Sequence, residues 1–259
     1  MNKTNIEYCT KTWNPVTGCL HACRNTYCYN TIKRTSPLNR FGARYRDENG
    51  NMQNEKNWRL RENDKANLAL PGEIYPYGYS PTYYHKRLLE PTTCKTPERI
   101  FAVDTGDLFG NFIPAGWIDE VLGVANRCHW HTFLFLTKNP KRMCDFTFSD
   151  NCWTGTTINS DKDKARVDAL KTVNATVRYL SIEPLLGPVT FDLSGINWII
   201  IGAQTGPNPL APETTWVEQI FVQAKEKQIP IFTKSNLKPF IKECYQEYPV
   251  KAQKNLFYT

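Results

Sequence analysis

From residue 99 onward the chain alternates short runs of β-branched and aromatic residues with longer stretches of helical apolar period. The runs are RIFAVDTG (99–106), HTFLFLT (131–137), CWTGTTI (152–158), VRYLSIEP (177–184), NWIIIGAQTG (197–206) and IPIFTK (229–234). This alternation predicts repeated βα units and a parallel sheet. Between the runs, PAGWIDEVLGVANRC predicts a helix opening on proline, and SDKDKARVDALKTVN a helix capped by serine. ETTWVEQIFVQAKEKQ puts Trp216, Ile220 and Ala224 at i, i+4 and i+8, a single apolar stripe to lie on the sheet. A further strand in CTKTWNPVTG (9–18) completes the expectation: an α/β fold, an incomplete parallel (β/α) barrel of about six or seven strands, with residues 1–259 as one domain.

Residues 31–98 break the rhythm. They are polar, basic and tyrosine-rich without a clean period, which predicts a long insertion following the loop after the first strand, the kind of segment that carries function.

Composition narrows the class. Of 259 residues, 41% are apolar and 22% charged, as in a globular protein rather than a disordered one. No run approaches the length of a membrane span, and the first fifteen residues have no apolar core to act as a signal; a cytoplasmic protein without a membrane partner is expected. In that reducing compartment the nine cysteines read as free thiols unless a metal or catalysis uses them. Cys9, Cys94, Cys128, Cys144, Cys152 and Cys244 are scattered and predicted inert. A net charge of +7 is compatible with a polyanionic partner, as it is with many enzymes that never touch one.

Three cysteines are clustered: GCLHACRNTYCYN carries Cys19, Cys23 and Cys28. Structural zinc needs four ligands; His21 would supply the fourth, but it sits so close to Cys19 and Cys23 that joint ligation is strained. Three thiolates on one tight loop suit a [4Fe–4S] cubane, whose fourth iron is left without a protein ligand.

The segments WNPVTGC, VDTGDLF, LTKNPKRM, YLSIEPLLGPV and IGAQTGP, with SPTYYHKRLLEP before the second strand, resemble, in this order, a phage-associated bacterial and archaeal family of unknown function. That family is itself similar to divergent radical S-adenosylmethionine (SAM) proteins. The resemblance covers nearly the whole chain. Radical SAM proteins usually space their cysteines C-x3-C-x2-C with an aromatic residue before the third; here the spacing is C-x3-C-x4-C, and Tyr27 keeps the aromatic place. The resemblance implies a [4Fe–4S] cluster on Cys19, Cys23 and Cys28, SAM chelated to the open iron, and a reductant protein as partner. SAM would be cleaved to a radical that abstracts hydrogen from a substrate.

In a parallel barrel the working groups come from the C-terminal strand ends. Asp104, Thr105, Gly106 and Asp107 fall where radical SAM enzymes hold the SAM amino group, with Gly106 expected to allow close backbone approach to a ligand. Lys138 is expected to meet a carboxylate or phosphate, and Glu183 a ribose or substrate hydroxyl, unless it pairs with Lys138 or Lys234. Gln204 stands where the resembling family commonly has glutamate; its amide can hydrogen-bond but cannot act as a base. Lys234 and His85 complete the candidates. Arg40, Arg44, Arg46, Arg59 and Arg61 with Tyr75, Tyr77, Tyr79, Tyr83 and Tyr84 suggest a nucleic acid or nucleotide substrate, since stacking rings and cations suit exposed bases. The rival expectation is a non-catalytic iron–sulfur or zinc module that recruits a protein partner.

Overall fold

The computed structural model describes residues 1–21, 80–206 and 208–249, together with the strands within 43–68. In chain order the strands before residue 99 are β1 (Asn2–Lys3), β2 (Lys11–Thr12), β3 (Val16–Thr17), β4 (Ala43–Arg46), β5 (Met52–Glu55), β6 (Asn67–Leu68) and β7 (Thr82–Tyr83). There follow β8 (Arg99–Ala102), α1 (Ala115–Arg127), β9 (Thr132–Thr137), β10 (Cys152–Ile158), α2 (Lys164–Lys171), β11 (Arg178–Ile182), β12 (Trp198–Ile201), α3 (Thr214–Glu226) and β13 (Ile231–Thr233). The main sheet runs β1-β2-β8-β9-β10-β11-β12-β13, parallel throughout except for β1 at its edge. β4 and β5 form a hairpin, and β7 pairs antiparallel with β3 and parallel with β6.

Because strand side chains alternate between faces, each run feeds two cores. Ile100, Phe133, Phe135, Leu180, Ile199, Ile201 and Ile231 belong to the larger core, together with the helices. Phe101, Leu134, Trp153, Tyr179, Trp198, Ile200 and Phe232 face the other way into an aromatic interior. The sheet curls around that interior: the Tyr8 ring meets Phe101 on β8 at 6.1 Å and Phe232 on β13 at 6.0 Å, and Ser235 donates to the Glu7 carboxylate at 2.9 Å. The result is a partial parallel β/α barrel. Its far end is stoppered by Tyr248, tilted against Trp198 and edge-on to Phe232, while Trp198 Nε1 donates to the Glu247 carbonyl at 2.9 Å.

The helices depart from their predicted details in instructive ways. Pro114 lies at the N-cap of α1, just outside the helix. Ser160 caps a short 3₁₀ turn, and α2 starts only at Lys164. The buried stripe of α3 is Val217, Ile220, Phe221 and Ala224; Trp216 lies half-buried at its margin.

The end of the expected insertion is barrel wall. Tyr83 is buried, stacked on Trp117 at 5.2 Å with its hydroxyl on Glu120, and Tyr84 is buried beneath the Arg87 guanidinium. Neither is an exposed stacking platform, which corrects the expectation for these two rings; Tyr75, Tyr77, Tyr79 and the five arginine side chains lie outside the described residues. Among the described residues no helix is long and apolar enough to cross a membrane.

His131, fully buried, ties this wall to the sheet. Its Nδ1 accepts from Glu98 N at 3.1 Å and its Nε2 donates to the Pro91 carbonyl at 3.1 Å, an arrangement that only the neutral ring can make. Burial pushes its pKa below the ordinary histidine value. The unfolded chain then binds the extra proton first, so this stability is present above pH about 6.5 and is lost as pH falls below it. The urea midpoint of the parent is expected to drop between pH 7 and 5.5, and His131→Gln to lower it at pH 7 while flattening that dependence.

Candidate functional site

The site begins with two glycines. Gly18, directly after β3, has φ +92°, and a Cβ there would lie 2.5 Å from the Ser80 carbonyl oxygen. Its N–H donates to the Thr105 carbonyl at 3.0 Å, and its carbonyl accepts from Asp107 N at 3.4 Å. A Cβ on Gly106 would come within 2.7 Å of that same carbonyl. Gly106 therefore serves a close approach of the chain's own backbone, and it also lines the cleft. The two glycines stitch the cysteine-bearing segment to the loop after β8, and Cys19, the next residue, is buried and lines the cleft at the mouth of the barrel.

Asn14 shapes the same loop. Its Oδ1 accepts from the N–H groups of Asp104 (3.0 Å) and Thr105 (3.3 Å), while its Nδ2 donates to the Asp104 carboxylate. Burial holds the Asp104 carboxyl above the usual carboxylate range, with the Asn14 bond working the other way.

Asp107 is a buried hub. Oδ1 accepts from Thr137 Oγ1 at 2.7 Å and Phe109 N at 3.1 Å; Oδ2 accepts from Lys138 N at 2.9 Å and meets His21 Nε2 at 2.8 Å. One carboxylate thus joins the cysteine segment, the loop after β8 and the end of β9. The His21 ring is further set by an edge contact with Phe112.

The cleft itself has a volume of about 290 Å³. Around it stand Asp104, Gly106 and Asp107 after β8, Lys138 after β9, Thr157 and Asn159 at the end of β10, Ser181 and Glu183 at the end of β11, and Ala203 after β12; Tyr8 and Phe101 reach it from the aromatic interior. Glu183 pairs with Lys234, which follows β13, and Gly202 makes room: a Cβ there would lie 3.1 Å from both side chains. Lys234 thus acts on the cleft through Glu183.

Other expected residues face elsewhere. Thr105 lines a neighbouring cleft with Asn14 and Arg87. Gln204 Oε1 accepts from Leu210 N at 3.1 Å, and the residue shapes a rim loop rather than the cleft wall. His85 is exposed beside the Tyr83 ring. Cys23, Tyr27 and Cys28 lie outside the described residues. Among the described residues no group of three or more His, Cys, Asp and Glu is arranged to hold a metal ion. Cys9, Cys128 and Cys152 are buried thiols, burial pushing Cys9 up to about 12 and Cys152 to about 11.

Tyr8 and Asn14 were not singled out by the sequence. Asn14 had a visible signal, its place in WNPVTGC; Tyr8 had none.

A curled, mostly parallel sheet whose strand ends converge on one polar cleft defines a partial β/α-barrel protein with a strand-end site. The chain belongs to the family described as a protein of unknown function (DUF5131), whose model matches residues 3–247. No curated protein and no solved structure matches it.

Proposed function

We propose that the chain is a radical SAM-type enzyme, in which Cys19, Cys23 and Cys28 hold a [4Fe–4S] cluster at the barrel mouth and SAM lies in the adjoining cleft. The observation that carries this reading is that Cys19 opens onto the same cleft as Asp104, Lys138 and Glu183, which come from three other strand ends. The donor chemistry fits: a buried thiol beside a polar cavity suits cluster ligation. Zinc would need His21 as its fourth ligand, and that residue stands so close to Cys19 and Cys23 in the chain that joint ligation is strained. When bound, the cluster would supply one electron to SAM, whose cleavage to methionine gives a 5′-deoxyadenosyl radical that abstracts hydrogen from the substrate.

The chain's own residues bind, orient and exclude. Asp104 and Glu183 would accept from amino and hydroxyl groups, Glu183 being held in place by its ion pair with Lys234. Lys138 would meet the ligand's carboxylate. The aromatic floor keeps water from the reacting atoms. A reductant protein supplies the electron, and a nucleic acid or nucleotide is the substrate class suggested by the arginines of residues 40–61.

Anaerobic reconstitution with iron and sulfide, reduction, and chromatography after addition of SAM test this. The expected outcome is about four irons per chain, as a cubane requires, with SAM converted to 5′-deoxyadenosine and methionine. Iron without SAM binding would make the chain an iron–sulfur module instead, and one zinc without iron a zinc module.

A further inference from the structure

Tyr8 forms part of the floor of the mouth cleft and is 4% exposed. Phe101, Trp198 and Phe232 grip its ring edge-on at 6.0–6.1 Å, so it is held in one orientation. Among the described residues its hydroxyl has no hydrogen-bond partner, whereas the carboxylates of Asp104, Asp107 and Glu183 are all bonded to protein donors. Tyr179 also carries an unpartnered hydroxyl, but that residue is enclosed in the barrel and does not line the cleft. A phenylalanine would fill the same space as Tyr8, so packing alone does not call for the hydroxyl. Burial first, and the negative charge of Glu183 next, hold the phenol well above its ordinary value, so the group offered to the cleft is a donor.

We propose that Tyr8 is a specificity-determining residue whose hydroxyl donates a hydrogen bond to the buried end of the bound molecule, which therefore carries an uncharged acceptor there, an ether or hydroxyl oxygen or a ring nitrogen. A phosphate or carboxylate at that depth would face Asp104 and Glu183, and like charges in a confined site repel strongly. The assignment rests on the reading of the cleft as a site for an adenosyl ligand, whose ribose and base offer such acceptors and whose charged groups would stay nearer the mouth.

The test compares parent and Tyr8→Phe, both reconstituted, by calorimetric titration with SAM and with adenosine, alongside urea denaturation without ligand. Tyr8→Phe is expected to weaken both ligands about tenfold, the loss of one hydrogen bond, to keep its iron, and to be as stable as the parent or more so. A residue that serves packing alone would give the opposite pattern. Equal affinity for both ligands in the two proteins, or a less stable variant with unchanged binding, overturns the proposal. If the parent binds neither ligand, the SAM reading fails by itself, and titration with neutral nucleosides and with inorganic phosphate decides Tyr8. A neutral ligand weakened by the substitution supports it; phosphate binding that the substitution leaves unchanged, or no neutral ligand, overturns it.

Discussion

Asp107→Ala is expected to lose about 3 kcal/mol of stability, because it leaves four donors from three segments facing a cavity where a carboxylate stood. Thr137 Oγ1 and Phe109 N are deepest and have least access to water. The urea midpoint should fall with an unchanged slope, since the loss is local and the surface exposed on unfolding is the same. Asp107→Asn keeps one acceptor oxygen and should recover part of the loss. His21 is released as well, so the segment bearing Cys19 loosens and the reconstituted variant should retain less iron than the parent. Equal stability of Asp107→Ala and parent would remove Asp107 from its place as the hub.

Gly18→Ala should be comparably severe. The added methyl meets the Ser80 carbonyl at 2.5 Å, a contact with backbone that no rotamer change can relieve, and φ +92° is itself strained for any L side chain. Together these cost about 3 kcal/mol or more. A shift of Gly18 that relieves the contact strains its bonds to Thr105 and Asp107, the bridge that seats Cys19. Folded protein with normal secondary structure but poor iron retention after reconstitution is the expected phenotype, read by circular dichroism and iron analysis. A variant that matches the parent in both would show that the bridge does not hold the cysteine segment.

The sheet was legible because its strands are buried on both faces: TFLFLT and WIII are continuous apolar runs rich in β-branched and aromatic residues and too short for helices. Strand-end chemistry was legible for the same reason, since Asp104, Lys138 and Glu183 directly follow such runs. Their hydrogen-bond partners were not. Asp107 reaches Thr137 and His21 across 30 and 86 residues, separations that no local pattern records. Tyr83 and Tyr84 misled because a buried tyrosine with a partner on Glu120 looks, in one dimension, like a solvated one. Tyr8 was invisible because its burial depends on the curl of the whole sheet, which brings β8 and β13 to the same ring.

The stopper at the far end of the barrel has a kinetic meaning. Among the described residues, Tyr248 and the Glu247 backbone pack across the base of the aromatic interior, and the cleft opens at the strand ends. Two ligands that share that opening cannot pass each other. On the proposed reading, the ligand that reaches the floor at Tyr8 would enter before a large substrate seated over the rim and leave after it, so the order of binding and release would be set by the shape of the barrel.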